Sequence, residues 1–290
     1  MPVPKLEVIG WYSVTTMNGE PGVIESPKYD SAGKLIKTGH DLLTSGAIAL
    51  LAFMAADLSH EVLGHGSIAF LLHARHIALS YTALSTDISS RTLVLAGPVA
   101  NLIFGVVGFT VLRRWRTEPK RLWFLFLFAS MSLMNLSSYL ILSGVTGTGD
   151  LAAAIAGVPQ PEIVRSCMGI IGLISYGVLV RVLAQSFRIF ARPNGGLRIA
   201  AYSAPLVLNT AAASISPLGL HFYLISALPA TAGVNIFLLI LPYAGKSAHR
   251  DAGSGTPEAI VKRSLTWILT ATVLGIAYVL LLGPGIALQS

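Results

Sequence analysis

Charge is what this chain of 290 residues has least of. Asp, Glu, Lys and Arg make up 11% of it, less than half of the roughly 25% usual in soluble domains. Hydrophobic residues make up 53%, and the mean hydropathy is +0.70. These values exclude a soluble globular enzyme and point to a polytopic membrane protein. Cysteine is nearly absent. Cys167 stands alone, so an intrachain disulfide is excluded, and the thiol is expected to pack as a small apolar group. No internal repeat and no low-complexity tract is visible. Nor is a secretory signal peptide: residues 1–44 are polar, and the first apolar stretch is too long for a signal core. That tail carries four Lys against five acidic residues. The formal net charge of +7 is no nucleic-acid footprint, because the basic residues gather in short loops between apolar runs.

Seven apolar segments follow the tail, at about Ser45–Leu72, Leu93–Leu112, Leu122–Leu142, Met168–Phe190, Ile199–Ile215, Leu218–Leu241 and Leu265–Leu282. Most approach the ~20 residues that a helix needs to cross the hydrocarbon core. The expected fold is an all-α transmembrane bundle of about six or seven spans. Ile199–Ile215 is short and contains Pro205, which predicts a broken or half-spanning helix. Basic residues mark three connections: Arg113, Arg114, Arg116, Lys120 and Arg121; Arg188, Arg192 and Arg198; Lys246, Arg250, Lys262 and Arg263. With seven spans these fall on one side, the cytoplasm, and the C-terminus lies outside.

Within the first apolar segment stands His60-Glu61-Val62-Leu63-Gly64-His65. Ionisable groups at membrane depth are costly, roughly 2.5–3.5 kcal/mol for a charged side chain at the helix centre, and read as functional by default. Two His with an adjacent Glu are the residue types of a zinc hydrolase, ligands and general base. The spacing is unusual. A His pair at i and i+4 shares a helix face, whereas i+5 on a regular α-helix puts the rings about 140° apart. A shared metal therefore requires a π-type distortion, expected around Leu63–His65, where Gly64 bends cheaply. The undistorted alternative groups Asp57, Glu61 and His65 on one face, as a carboxylate–imidazole metal site or a proton relay.

A zinc site needs a third protein ligand. Asp150 closes the Gly-rich turn Ser143-Gly144-Val145-Thr146-Gly147-Thr148-Gly149-Asp150. It either returns a carboxylate to the bundle or caps a short helix over Leu151–Gly157. Asn101 and Asn135 are candidates for contact with substrate or an oxyanion, though interhelical hydrogen bonds are the commoner role of such residues in membrane bundles. His73 and His76 read as interfacial. Seven His in all are too few for a di-iron site built from His boxes. Arg181 either snorkels, faces the cavity, or pairs with a carboxylate such as Asp57. Trp11, Trp115, Trp123 and Trp267 read mostly as belt residues near span ends.

Three stretches together resemble the site-2 protease family of intramembrane zinc metalloproteases: His60-Glu61 with His65-Gly66, Gly97-Pro98-Val99-Ala100-Asn101, and Asn135 followed by Gly149-Asp150. They also resemble an uncharacterised bacterial branch with the longer His spacing. The resemblance covers roughly residues 45–160. It implies a three-helix metal-site core, Zn²⁺ on His60, His65 and Asp150, Glu61 as base, and an intramembrane metallopeptidase in the bacterial inner membrane. The implied partners are the lipid bilayer and a membrane-bound or membrane-adjacent polypeptide, with no nucleic acid. The chain then divides into a tail (1–44), a metal-site core (45–160) and additional transmembrane helices (161–290). A lipid-directed hydrolase, or a metal or proton transporter, would use the same cluster.

Overall fold

The computed structural model describes residues 40–115, 117–188, 190, 195–244 and 259–289. The polar tail up to residue 39, with Trp11, and also Arg116, Arg192, Lys246, His249 and Arg250 lie outside them.

Six helices are long and apolar enough to cross a membrane. They are α1 (Leu42–Leu71), α2 (Arg91–Arg114), α3 (Pro119–Thr146), α5 (Pro161–Phe187), α7 (Gly219–Ala244) and α8 (Leu265–Leu282). Between them stand the short α4 (Asp150–Ala154) and α6 (Gly195–Ser214). Local signals set the ends. The Asp41 carboxylate accepts the Thr44 amide at 2.8 Å and starts α1, as an N-cap should. Ser90 does the same for Leu93 at 3.1 Å at the head of α2. Pro119 and Pro161 open α3 and α5 in the first turn, where a missing N–H costs nothing. Gly147, at φ 71°, closes α3 in the left-handed conformation.

The break expected in Ile199–Ile215 is corrected. α6 is 20 residues long and runs unbroken through Pro205, so it is not a half-helix. Arg198, Asn209 and Thr210 dilute its apolar character, and it is not among the membrane-length apolar helices. The segment that carries Lys262 and Arg263 lies beside the start of α1, where the Val261 carbonyl accepts the Asp41 amide at 2.8 Å, and Ala259 bridges to Phe190, so this cluster stays on the same side as Arg188 and Arg198. The interrupted helix is instead α7, with π geometry over Tyr223–Ala227.

Helix α1 is central, packing against α2, α3, α6 and α8. Small residues allow close crossings, as is common in membrane bundles. A β-carbon on Gly172 of α5 would lie 2.8 Å from the Ile141 amide of α3. Trp123 is fully buried, stacked on Phe126 and edge-on to Phe190, so it is a core residue and not part of an interfacial belt. Cys167 is exposed, contrary to the expected packing. The sequence reading also missed a three-stranded antiparallel sheet, β2-β1-β3, made of β1 (Ile77–Leu79), β2 (Leu84–Thr86) and β3 (Ile286–Gln289). It joins the segment after α1 to the segment after α8.

Candidate metal centre

Helix α1 changes character where the His-Glu motif begins. Ser59–Gly66 is π-helical, flanked by regular α-helix on both sides. The distortion is wider than Leu63–His65 and spans the whole motif. Its effect is the one the spacing demands. Bonding from i to i+5 places residue i+5 over residue i, so His60 and His65 share a face. The two Nε2 atoms stand 3.2 Å apart, with the rings edge to face.

Asp150 arrives from ninety residues on. Gly147 and Gly149, at φ 71° and 85°, turn the chain back sharply enough to aim it. The Arg165 guanidinium donates to the Val145 carbonyl at 3.0 Å, and Arg91 to the Ala156 carbonyl at 3.2 Å, which brace the turn on either side of α4. Asp150 is not the cap of α4. Gly149 occupies that position, and no side-chain cap is made. The Asp150 Oδ2 atom instead lies 3.0 Å from His60 Nε2 and 3.4 Å from His65 Nε2. His60, His65 and Asp150 form a group that could hold a metal ion, and no other such group of His, Cys, Asp and Glu occurs among the described residues. His73 and His76 are exposed and outside it.

The groups behind the imidazoles fit that role. His65 Nδ1 lies 2.7 Å from the Leu93 carbonyl. A carbonyl only accepts, so the proton sits on Nδ1 and the Nε2 lone pair is left for a cation. The Asn101 amide lies 3.4 Å from His60 Nδ1, and its other polar atom has no partner among the described residues. With its oxygen turned to Nδ1, Asn101 orients His60 as Leu93 orients His65. Gly97, one turn before Asn101, makes room. A β-carbon there would lie 2.6 Å from His60 Nε2 and closer still to His65 Nε2. The Gly-Pro-x-x-Asn segment of α2 is thus the wall of the centre.

Glu61 is 3% exposed. Its Oε1 lies 4.0 Å from His60 Nε2, and Oε2 has no hydrogen-bond partner among the described residues. A cavity of about 60 Å³ adjoins it, lined by Asp57, His60, Glu61, Thr82, Asn101, Asn135, Tyr139 and Thr231 among others, with room for about four water molecules. Asn135 lines this cavity. Asp57 is removed from the centre: the Tyr278 hydroxyl contacts it at 2.9 Å and the Tyr81 carbonyl at 3.0 Å. Arg181 is exposed, so the Asp57–Arg181 pairing is not formed. Sequence reasoning missed Tyr139 and Tyr278. Aromatic residues inside apolar runs carry no signal that separates a site wall from ordinary packing.

Comparison with known protein families, with curated proteins and with solved structures finds no match. The reading of the site therefore rests on its own geometry.

Proposed function

We propose that this chain is an intramembrane zinc hydrolase that cleaves peptide bonds of membrane-bound or membrane-adjacent polypeptides, allied in mechanism to the site-2 proteases. The observation that carries this reading is the ligand triangle. Its edges are 3.0, 3.2 and 3.4 Å. Ligands 2.0–2.1 Å from a tetrahedral zinc lie about 3.3 Å from one another. Three protein ligands leave the fourth position open, the pattern of catalytic rather than structural sites.

Zinc bound there would polarise a carbonyl and bring the pKa of a bound water to about 7. Glu61 is the base. Its carboxylate takes the proton as the water oxygen bonds to the carbonyl carbon, then returns it to the departing amine as the C–N bond breaks. His60 and His65 are held by Asn101 and Leu93 and need not reorganise. The cavity beside Glu61 has no room for a helix, so a substrate segment enters unwound. The Asn135 side chain has an unpartnered oxygen on that wall and is placed to pair with its freed backbone. We place the protein in the bacterial inner membrane.

The test compares membranes from cells making the wild-type chain or Glu61→Gln. The expected result is one zinc per chain in both, with new polypeptide termini formed only by the wild type. Identical termini in the two, with zinc bound, would overturn the peptidase reading. Lipid products that depend on Glu61 would move it to a lipid bond, and metal flux that persists in Glu61→Gln would move it to transport.

A further inference from the structure

One cavity wall has no part in the mechanism so far. Tyr139 lies on α3 one helical turn after Asn135 and lines the same cavity as Glu61. Its ring centroid is 5.3 Å from that of His60, at a tilt of 36°. A β-carbon on Gly149, the residue before Asp150, would lie 3.7 Å from the same ring. Tyr139 is thus wedged between the π-helical segment and the turn that delivers Asp150, half-buried. No hydrogen bond joins its hydroxyl to any described residue. The ring alone accounts for the packing. A tyrosine hydroxyl inside a protein normally has a partner, and Tyr139 lines the cavity.

Tyr139 is the hydroxyl-bearing residue of the cavity wall whose ring packs against a member of the metal triangle, His60.

We infer that Tyr139 is a catalytic residue, its hydroxyl donating the hydrogen bond that stabilises the oxyanion of the hydrolysed carbonyl. This rests on the hydrolase reading above. As the water oxygen bonds to the carbonyl carbon, the carbonyl π pair moves onto oxygen and the water proton goes to Glu61. Tyr139 keeps its own proton throughout. A neutral donor fixed in a site of low dielectric is worth most where negative charge develops. It also costs little to hold ready, because the ring is already locked against His60.

The test uses the detergent-purified full chain loaded with Co²⁺, whose visible spectrum reports anion binding, and acetohydroxamate as the probe. The wild type is expected to bind one cobalt and respond to acetohydroxamate. Tyr139→Phe should bind cobalt equally but acetohydroxamate at least about tenfold more weakly, the loss expected for one hydrogen bond to a charged oxygen. Formation of wild-type polypeptide termini should slow by about 100-fold. Fluorotyrosine incorporated in place of Tyr139 keeps the ring, makes the hydroxyl a stronger donor, and should tighten the probe. This second variant decides the matter if Tyr139→Phe fails to fold. Equal acetohydroxamate affinity in the variants and the wild type would overturn the role of Tyr139 and leave the hydrolase reading intact. A wild-type chain that takes up no cobalt, or whose cobalt spectrum ignores acetohydroxamate, would overturn the hydrolase reading itself.

Discussion

Gly64 and Gly97 meet backbone to backbone. A β-carbon on Gly64 would stand 2.5 Å from Gly97 Cα and 2.8 Å from the Ala96 carbonyl oxygen. This contact holds the π-helical segment of α1 against α2 and brings both imidazoles over Gly97. The two glycines differ in what a methyl group would strike. At Gly64 it strikes backbone, which yields only if the helices separate. At Gly97 it strikes the ligand nitrogens. Gly64→Ala is therefore expected to destabilise the fold by roughly 1–3 kcal/mol, seen as a lower melting temperature in detergent. Gly97→Ala should lower metal affinity at least tenfold with a smaller effect on melting, measured by competition with a chelator.

Asn101 acts on the metal through His60. Asn101→Leu should weaken metal binding about 10–100-fold, the usual effect of losing an orienting partner. A variant with full metal affinity and lost turnover would instead return Asn101 to the substrate side of the site.

Tyr278 ties α8 to the centre of the bundle through Asp57 and the Tyr81 carbonyl. Tyr278→Phe leaves both oxygens short of a donor. The expected cost is about 1–3 kcal/mol, read as a lower melting temperature with the zinc content unchanged. An unaltered melting temperature would show that water replaces the hydroxyl.

Asp87 fastens the turn after α1, its Oδ1 accepting the amides of Arg75 and His76 at 3.0 and 3.1 Å. The His76 amide is the main cause that holds its carboxyl below the ordinary 3.8. The folded state therefore favours the anion. Its stabilising contribution is complete above pH 3.8 and fades as the pH falls through the lower folded value. Hydrogen exchange at the Arg75 and His76 amides, corrected for the intrinsic rate, should accelerate below about pH 4 in the wild type. In Asp87→Ala, which has no side-chain acceptor, it should be fast at every pH. Protection in the wild type that does not change with pH would show that Asp87 is not the fastening group.

Much of the site was legible because membrane burial makes polar groups conspicuous. His60, Glu61 and His65 stand out against an apolar background, and the i+5 spacing of the two His by itself demands a π-helical turn. Asp150 was harder. An Asp after a Gly-rich turn reads equally well as a helix cap, and only the positive φ of Gly147 and Gly149 shows the chain reversing toward His60. Asn101 was a candidate for the right reason, a polar group at depth, but its partner is an imidazole nitrogen that no spacing rule connects to it. Trp123 lies near a span end, where a belt position is expected, but its neighbours Phe187 and Phe190 come from the end of α5 and the segment just after it. The sheet was hidden because strands of three or four residues lack a period long enough to read.

Composition and periodicity alone determined that the chain is a helical membrane protein with costly ionisable groups in its first span, since hydrophobic burial and helix length are local properties of the chain. Tertiary structure decided that Asp150 joins His60 and His65, that Asn101 backs one of them, and that Tyr139 walls the cavity. Each of these is a contact across forty to ninety residues of chain, set by where two helices cross and not by any pattern within one.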